Sequence, residues 1–163
     1  MMQCHFLKRT WAEIDLDALS HNYRYIRSLA DPSVKVMGVV KADAYGHGVK
    51  AVASVLSAEG CDWFAVSNLE EAVQLREFGF SEPILILGFT PAEEAAQLAA
   101  RGISQTVYSD EYARALSQEA EKAGVTVNIH IKVDTGMSRI GFFYQSPERD
   151  AGAVCLLYTS RCV

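Results

Sequence analysis

Val39-Val40-Lys41-Ala42-Asp43-Ala44-Tyr45-Gly46-His47-Gly48 is the stretch on which the fold of this chain turns. The run from Val34 to Val40 is β-branched and nearly continuous, as expected for a parallel strand buried on both faces. It ends on Lys41 and breaks at once into a Gly-flanked turn, after which Val49, Val52 and Leu56, with Ala53 beside them, recur at helical spacing. In a βα unit of a barrel, the residue that closes a strand faces the ligand. Lysine in such a place suits Schiff-base chemistry, because partial desolvation favours the free, nucleophilic amine. Lys41 is therefore the candidate reactive residue.

Outward from this stretch the chain repeats one unit. Glu59-Gly60, Phe78-Gly79, Arg101-Gly102 and Ala123-Gly124 each end a helical pattern and lead into a short apolar strand. Glycine just past a helix adopts the left-handed conformation that closes it. Helix starts are equally regular: Ser67-Asn68 precedes Glu70 and Glu71, Thr90-Pro91 precedes Glu93 and Glu94, and Ser109-Asp110 precedes Glu111. Strand ends near residues 40, 66, 87, 107 and 133 keep the pace of a (β/α)8 barrel. The fold class is α/β, an incomplete (β/α)8 barrel of about five strands over residues 17–154. A doubly wound sheet is the competing architecture, but no strand-turn Gly-x-Gly-x-x-Gly supports it; Gly46-His47-Gly48 lacks the third glycine.

Residues 1–10 read as a leader, and Trp11 to Leu16 alternate as a half-exposed strand. A helix follows, with Asp15 or Asp17 as its cap and Leu19, Tyr23, Ile26 and Ala30 on one face, before Asp31-Pro32 stops it. The second dense patch runs from Ile129 to Phe142. Period two places His130, Lys132 and Asp134 on one strand face and Ile129, Ile131 and Val133 on the other.

Val-Val-Lys-Ala-Asp-Ala-Tyr-Gly-His-Gly resembles the pyridoxal-phosphate lysine motif of alanine racemases, and Lys132-x-Asp134-Thr135-Gly136-Met137-x-Arg139-x-Gly141 resembles a second motif of that family. The segment Thr10 to Leu16 is similar to the family's opening, where the strand pairs with a C-terminal β-domain. The resemblance spans residues 10–146. It implies that Lys41 bonds pyridoxal 5'-phosphate and acts as one of two acid-base groups at Cα of alanine. It implies further that Tyr45 lies near the cofactor phosphate, that Arg139 approaches both the cofactor's phenolic oxygen and the substrate carboxylate, and that Lys132 corresponds to a lysine often carbamylated in the family. A carbamate there would turn a cation into an anion able to orient Arg139. Taken as isolated residues, Tyr45 reads as rim packing, His47 as structural rather than a phosphate contact, and Asp43 and Asp134 as turn holders. The implied product, D-alanine, serves peptidoglycan in bacteria, and the implied assembly is a homodimer whose partner supplies the opposing tyrosine. A serine or broader racemase, a non-catalytic pyridoxal-phosphate carrier and a ligand-free interaction module are the other readings.

Composition bounds these readings. The chain has 163 residues, half of them hydrophobic, enough for one sizeable core. Its net charge of -5 argues against a nucleic-acid or anionic-membrane surface. No apolar run is long enough for a signal peptide or a membrane span, so a cytoplasmic location is the default. Four cysteines with no ligand-like spacing suggest neither a disulfide framework nor a metal site. Residues 155–163, Cys-Leu-Leu-Tyr-Thr-Ser-Arg-Cys-Val, break the preceding pattern and back-translate to a self-complementary sequence resembling a transposon-end library adapter. They are expected to be a non-native tail, with the C-terminal β-domain and the second acid-base group absent from the chain, which by itself is expected to be inactive and unstable.

Overall fold

The computed structural model describes residues 10–143, so the expected leader, apart from its last residue, and the expected non-native tail lie outside the described residues. In chain order the elements are α1 (Leu16–Leu29), β1 (Met37–Val39), α2 (Lys41–Gly46), α3 (Val49–Ala58), β2 (Trp63–Val66), α4 (Leu69–Glu77) and β3 (Ile84–Ile86). A 3-10 turn (Ala92–Glu94) then runs into α5 (Ala95–Ala100), followed by β4 (Ile103–Val107), α6 (Asp110–Ala123), β5 (Ile129–Ile131), β6 (Val133–Asp134) and β7 (Phe142–Phe143). Strands β1 to β5 form one parallel sheet in sequential order, and β6 pairs with β7 in a separate parallel ladder. A parallel sheet without reversal of strand order, joined by right-handed crossovers, carries all its helices on one side. A doubly wound sheet must reverse its order to cover both sides, so that alternative is set aside.

The sheet is strongly curled. The rings of Trp63 on β2 and His130 on β5 meet edge to face at 5.3 Å between centroids. Neighbouring strands stand about 4.8 Å apart, so in a flat sheet these two would be separated by roughly 14 Å. Their contact makes the sheet an arc of a barrel with an inner and an outer face. Gly38, Phe64, Ile84 and Ile103 align across β1 to β4 on the outer side. The helices pack there: Phe64, Leu75, Ile84, Ile86 and Leu98 are fully buried. Burying each such side chain contributes about 1.5–3 kcal/mol, which makes the sheet-helix interface the main support of the fold. Gly38 is required by closeness, since a Cβ there would stand 2.9 Å from Leu56 Cδ1 and 3.2 Å from Cys61 Sγ.

Local signals account for the helix ends. Asp15 Oδ1 accepts the N–H of Ala18, Asn68 Oδ1 that of Glu71 and Ser109 Oγ that of Tyr112. Gly60, Gly79, Gly102 and Gly124 all have positive φ. Arg76 fastens the amino-terminal side of the sheet by donating to the carbonyls of Phe80, Glu82 and Arg101. Helix α1 is held to the end of α3 by Glu59, which accepts from Arg24 Nε and Nη2 and from Ser20 Oγ, each at 2.6 Å.

Several expectations require correction. Residues 11–15 pair with no strand among the described residues, and Leu16, expected at the end of a strand, opens α1, which Asp15 caps. On α1, Tyr23 is buried but Ile26 is 57% exposed, so only the first half of the apolar stripe is covered. Strand β1 is three residues long and not buried on both faces: Val39 is 42% exposed, because it points to the open inner side of the arc. The expected strand from Val125 to Val133 is divided into β5 and β6. Thr90 does not cap the following turn; its Oγ1 is buried without a partner, and Pro91 occupies the start.

Candidate functional site

Period two carries Met37 and Val39 to the inner face of the arc, since Gly38 faces α3 on the outer side. Two residues past the end of β1, Lys41 opens α2 at the carboxyl-end rim, half-buried. Its Nζ makes neither a hydrogen bond nor an ion pair among the described residues, and the ring of Tyr45 lies 6.0 Å from it. Tyr45 itself is 59% exposed, which leaves its hydroxyl accessible.

The Gly-flanked turn is a left-handed helical turn. Ala42, Asp43, Ala44 and Tyr45 have φ of 51°, 53°, 52° and 56°. L residues resist this conformation by about 1–2 kcal/mol each, so the turn needs external support. Asp43 Oδ1 accepts the N–H of Val49 at 2.7 Å and so starts α3. His47 Nδ1 lies 2.9 Å from the Ala44 carbonyl and 3.2 Å from that of Tyr45. Both partners are acceptors, so Nδ1 carries the proton and donates. The third support comes from another unit: Glu71 Oε1 accepts the N–H of Ala42 at 2.8 Å, while Oε2 accepts from Ser67 N and Ser67 Oγ, both at 2.8 Å. Burial pushes the Glu71 carboxyl up, but the bonds from Ser67 and Ala42 and the charge of Lys41 outweigh it and hold the group below its ordinary value.

The other predicted residues stand at the opposite margin of the same rim. Lys132 follows β5 on the inner side, and its Nζ reaches over β4 to the carbonyl of Leu87 at 3.4 Å. Arg139 is exposed, its guanidinium without a hydrogen bond or ion pair among the described residues, while its backbone N–H is held by Asp134. Asp134 is buried and organises the loop: Oδ1 accepts from Gly136 N and Ser138 N, and Oδ2 from Arg139 N, each at 2.9 Å. The bond from Ser138 first, then that from Gly136, lowers its carboxyl below the ordinary value. Lys132, Asp134, Thr135, Met137 and Arg139 line a shallow hollow. The structure therefore groups Lys41 with Tyr45 and Lys132 with Arg139, at the two ends of one rim. His47 holds the turn, as its structural reading has it, and His130 packs against Trp63 on the inner face. Among the described residues no cluster of His, Cys, Asp or Glu could hold a metal, and no helix is long and apolar enough to cross a membrane.

Sequence reasoning missed Glu71 as part of this region. Its signal was the spacing Asn68-x-x-Glu71, which reads as a capping box. In a capping box the acidic side chain returns to its own cap residue; here it passes on to Ser67 and to the turn after Lys41.

Comparison with known proteins adds an independent line. A family model described as the alanine racemase N-terminal domain matches residues 14–156. An alanine racemase of Desulfovibrio desulfuricans is 47% identical over 150 residues, which cover 92% of this chain and 39% of that protein. Among solved structures, alanine racemase of Clostridium difficile 630 in complex with cycloserine superposes with a TM-score of 0.84 at 40% identity, covering 94% of this chain and 42% of that one. A histidine racemase from Leuconostoc mesenteroides subsp. sake superposes with a TM-score of 0.79 at 31% identity, covering 90% of this chain and 39% of that one. The chain thus spans about two-fifths of the length of the proteins it matches. With its parallel barrel arc, its strand-end lysine and this match over most of its length, the chain belongs to the alanine racemase N-terminal domain family.

Proposed function

We propose that this chain carries the lysine-bearing part of a pyridoxal-phosphate-dependent racemase that interconverts L-alanine and D-alanine by proton transfer on the two faces of Cα. The observation that carries this reading is Lys41 at the carboxyl-end rim of the arc, its amine free of hydrogen bonds and ion pairs among the described residues and 6.0 Å from the ring of the exposed Tyr45. The residues present fit the cofactor. The Lys41 amine suits its aldehyde, the Tyr45 hydroxyl suits its phosphate, and the Arg139 guanidinium, unpaired among the described residues, suits a phenolate or carboxylate. When bound, pyridoxal phosphate supplies the electron sink that makes an amino-acid Cα proton removable. Lys41 would hold the cofactor through its amine, and the same amine would accept or return the Cα proton on its own face. Lys132 stands beside Arg139 in the same hollow, and conversion of its amine to a carbamate would give Arg139 an anionic partner.

Alanine as substrate is supported by the names of the relatives and by the cycloserine complex of one of them. A broader amino-acid range is a second reading, favoured by the histidine racemase on the same scaffold. The second acid-base group is a tyrosine from the partner subunit of a homodimer, a proposal that rests on family resemblance. The test is direct: the full-length protein, supplied with pyridoxal phosphate, is expected to develop visible absorbance and to racemise L-alanine, and Lys41→Ala is expected to lose both. Absorbance without turnover would favour a non-catalytic carrier. The 163-residue chain by itself is expected to show no turnover; racemisation by it would overturn the two-subunit mechanism.

A further inference from the structure

We propose that Glu71 is the positioning residue for Lys41: its carboxylate ties the backbone immediately after Lys41 to the end of the neighbouring strand and so fixes where the amine is presented. This rests on the reading of Lys41 as the cofactor lysine. A left-handed turn, like any helix start, leaves its first N–H groups without partners inside the turn. Ala42 N–H is such a group, and Glu71 Oε1 takes it at 2.8 Å. The second oxygen accepts both donors of Ser67, the first residue past β2. One side chain thus bridges the carboxyl ends of β1 and β2, from the first turn of a helix that follows Lys41 by almost thirty residues. The other supports, Asp43 and His47, bond only within the turn or to the start of α3. They shape the turn without relating it to the sheet.

The chemistry requires a carboxylate. All three of Glu71's partners are donors, and a carboxylate is acceptor-only. A glutamine would have to aim its NH2 at Ala42 N–H or at Ser67, so one bond would become a donor-donor contact in a partly buried place. Glu70, one residue earlier and exposed, makes no such contacts and serves as a control.

The experiment uses the full-length protein loaded with pyridoxal phosphate, and reads two quantities besides turnover: the visible circular dichroism of the lysine-bound cofactor and the rate at which it is lost on dilution. Visible dichroism depends on how the chromophore is held, so a merely stabilising role would leave it unchanged. Glu71→Gln is expected to alter that signal and to speed cofactor loss about tenfold, the effect of one lost charge-assisted hydrogen bond. Far-ultraviolet dichroism should stay native, and Glu70→Gln should match the unaltered protein. Ser67→Ala removes only one of the three donors and is expected to move both quantities the same way by a smaller factor; it decides the matter if Glu71→Gln does not fold. A folded Glu71→Gln, or failing that Ser67→Ala, with unchanged dichroism and cofactor retention would overturn the proposal, even if its melting temperature fell. Lys41→Ala separates the two levels: if it keeps the visible signal, the reading of Lys41 fails and this inference with it.

Discussion

The loops that follow β1 and β5 stand at the two margins of one rim and are built in opposite ways. The β5 loop is self-sufficient. One buried carboxylate, Asp134, gathers the N–H groups of Gly136, Ser138 and Arg139 within five residues, and two of the loop's three positive φ values fall on Gly136 and Gly141, with Ser138 the third. The β1 loop places four consecutive L residues in the left-handed region and depends on Glu71, twenty-nine residues beyond Ala42. The difference shows where tertiary context is spent. The loop that follows Lys41 takes its shape only when β1 and β2 are side by side, whereas the loop bearing Arg139 can form from its own sequence.

Three tests probe this contrast, the strongest first. Gly141→Ala should break the self-sufficient loop, because a Cβ there would stand 2.8 Å from Asp134 N and 3.1 Å from Lys132 O, at a φ of 140°. A loss of about 2–3 kcal/mol is expected by chemical denaturation; wild-type stability would show that the loop has room the geometry denies. Asp134→Asn tests the carboxylate by pH. Because the folded group titrates below its ordinary value of 3.8, its contribution is complete above that value and is lost as pH falls through the lowered one. The variant should be less stable near neutrality and show a shallower decline in acid, read from melting temperatures across pH. An acid profile parallel to that of the unaltered protein would remove Asp134 from the account. The smallest effect carries the sharpest sign: Ala42→Gly, at φ 51°, should be neutral or stabilising by up to about 1 kcal/mol, while Ala51→Gly on the exposed face of right-handed α3 should cost about 1 kcal/mol. Equal losses at both positions would mean that the turn is not left-handed in solution.

Much of the barrel was legible because its signals are local. Caps at Asn68 and Ser109, one of the two candidate caps at Asp15, and left-handed glycines at the helix ends act within a few residues and appear in the structure where the spacing put them, while the strands are shorter than the apolar runs that announce them. Lys41 ends such a run in the sequence and opens α2 in the structure. Where the reading failed, the deciding partner was distant or missing from the window. Trp11 to Leu16 alternates like a strand, yet pairing depends on a neighbour that no alternation supplies. Val39 carries strand character, but its exposure depends on how much of the arc closes over the inner face.

Periodicity, caps and turns are properties of neighbouring residues, and they set the alternation of strand and helix, the lysine just past the first strand and the charged patch after the fifth. The curl that brings Trp63 to His130, the left-handed path after Lys41 and the use of Glu71 to hold it arise only on folding. Those three depend on contacts between residues far apart in the chain, where the cost of a disfavoured backbone is offset by partners that exist only once the strands are docked.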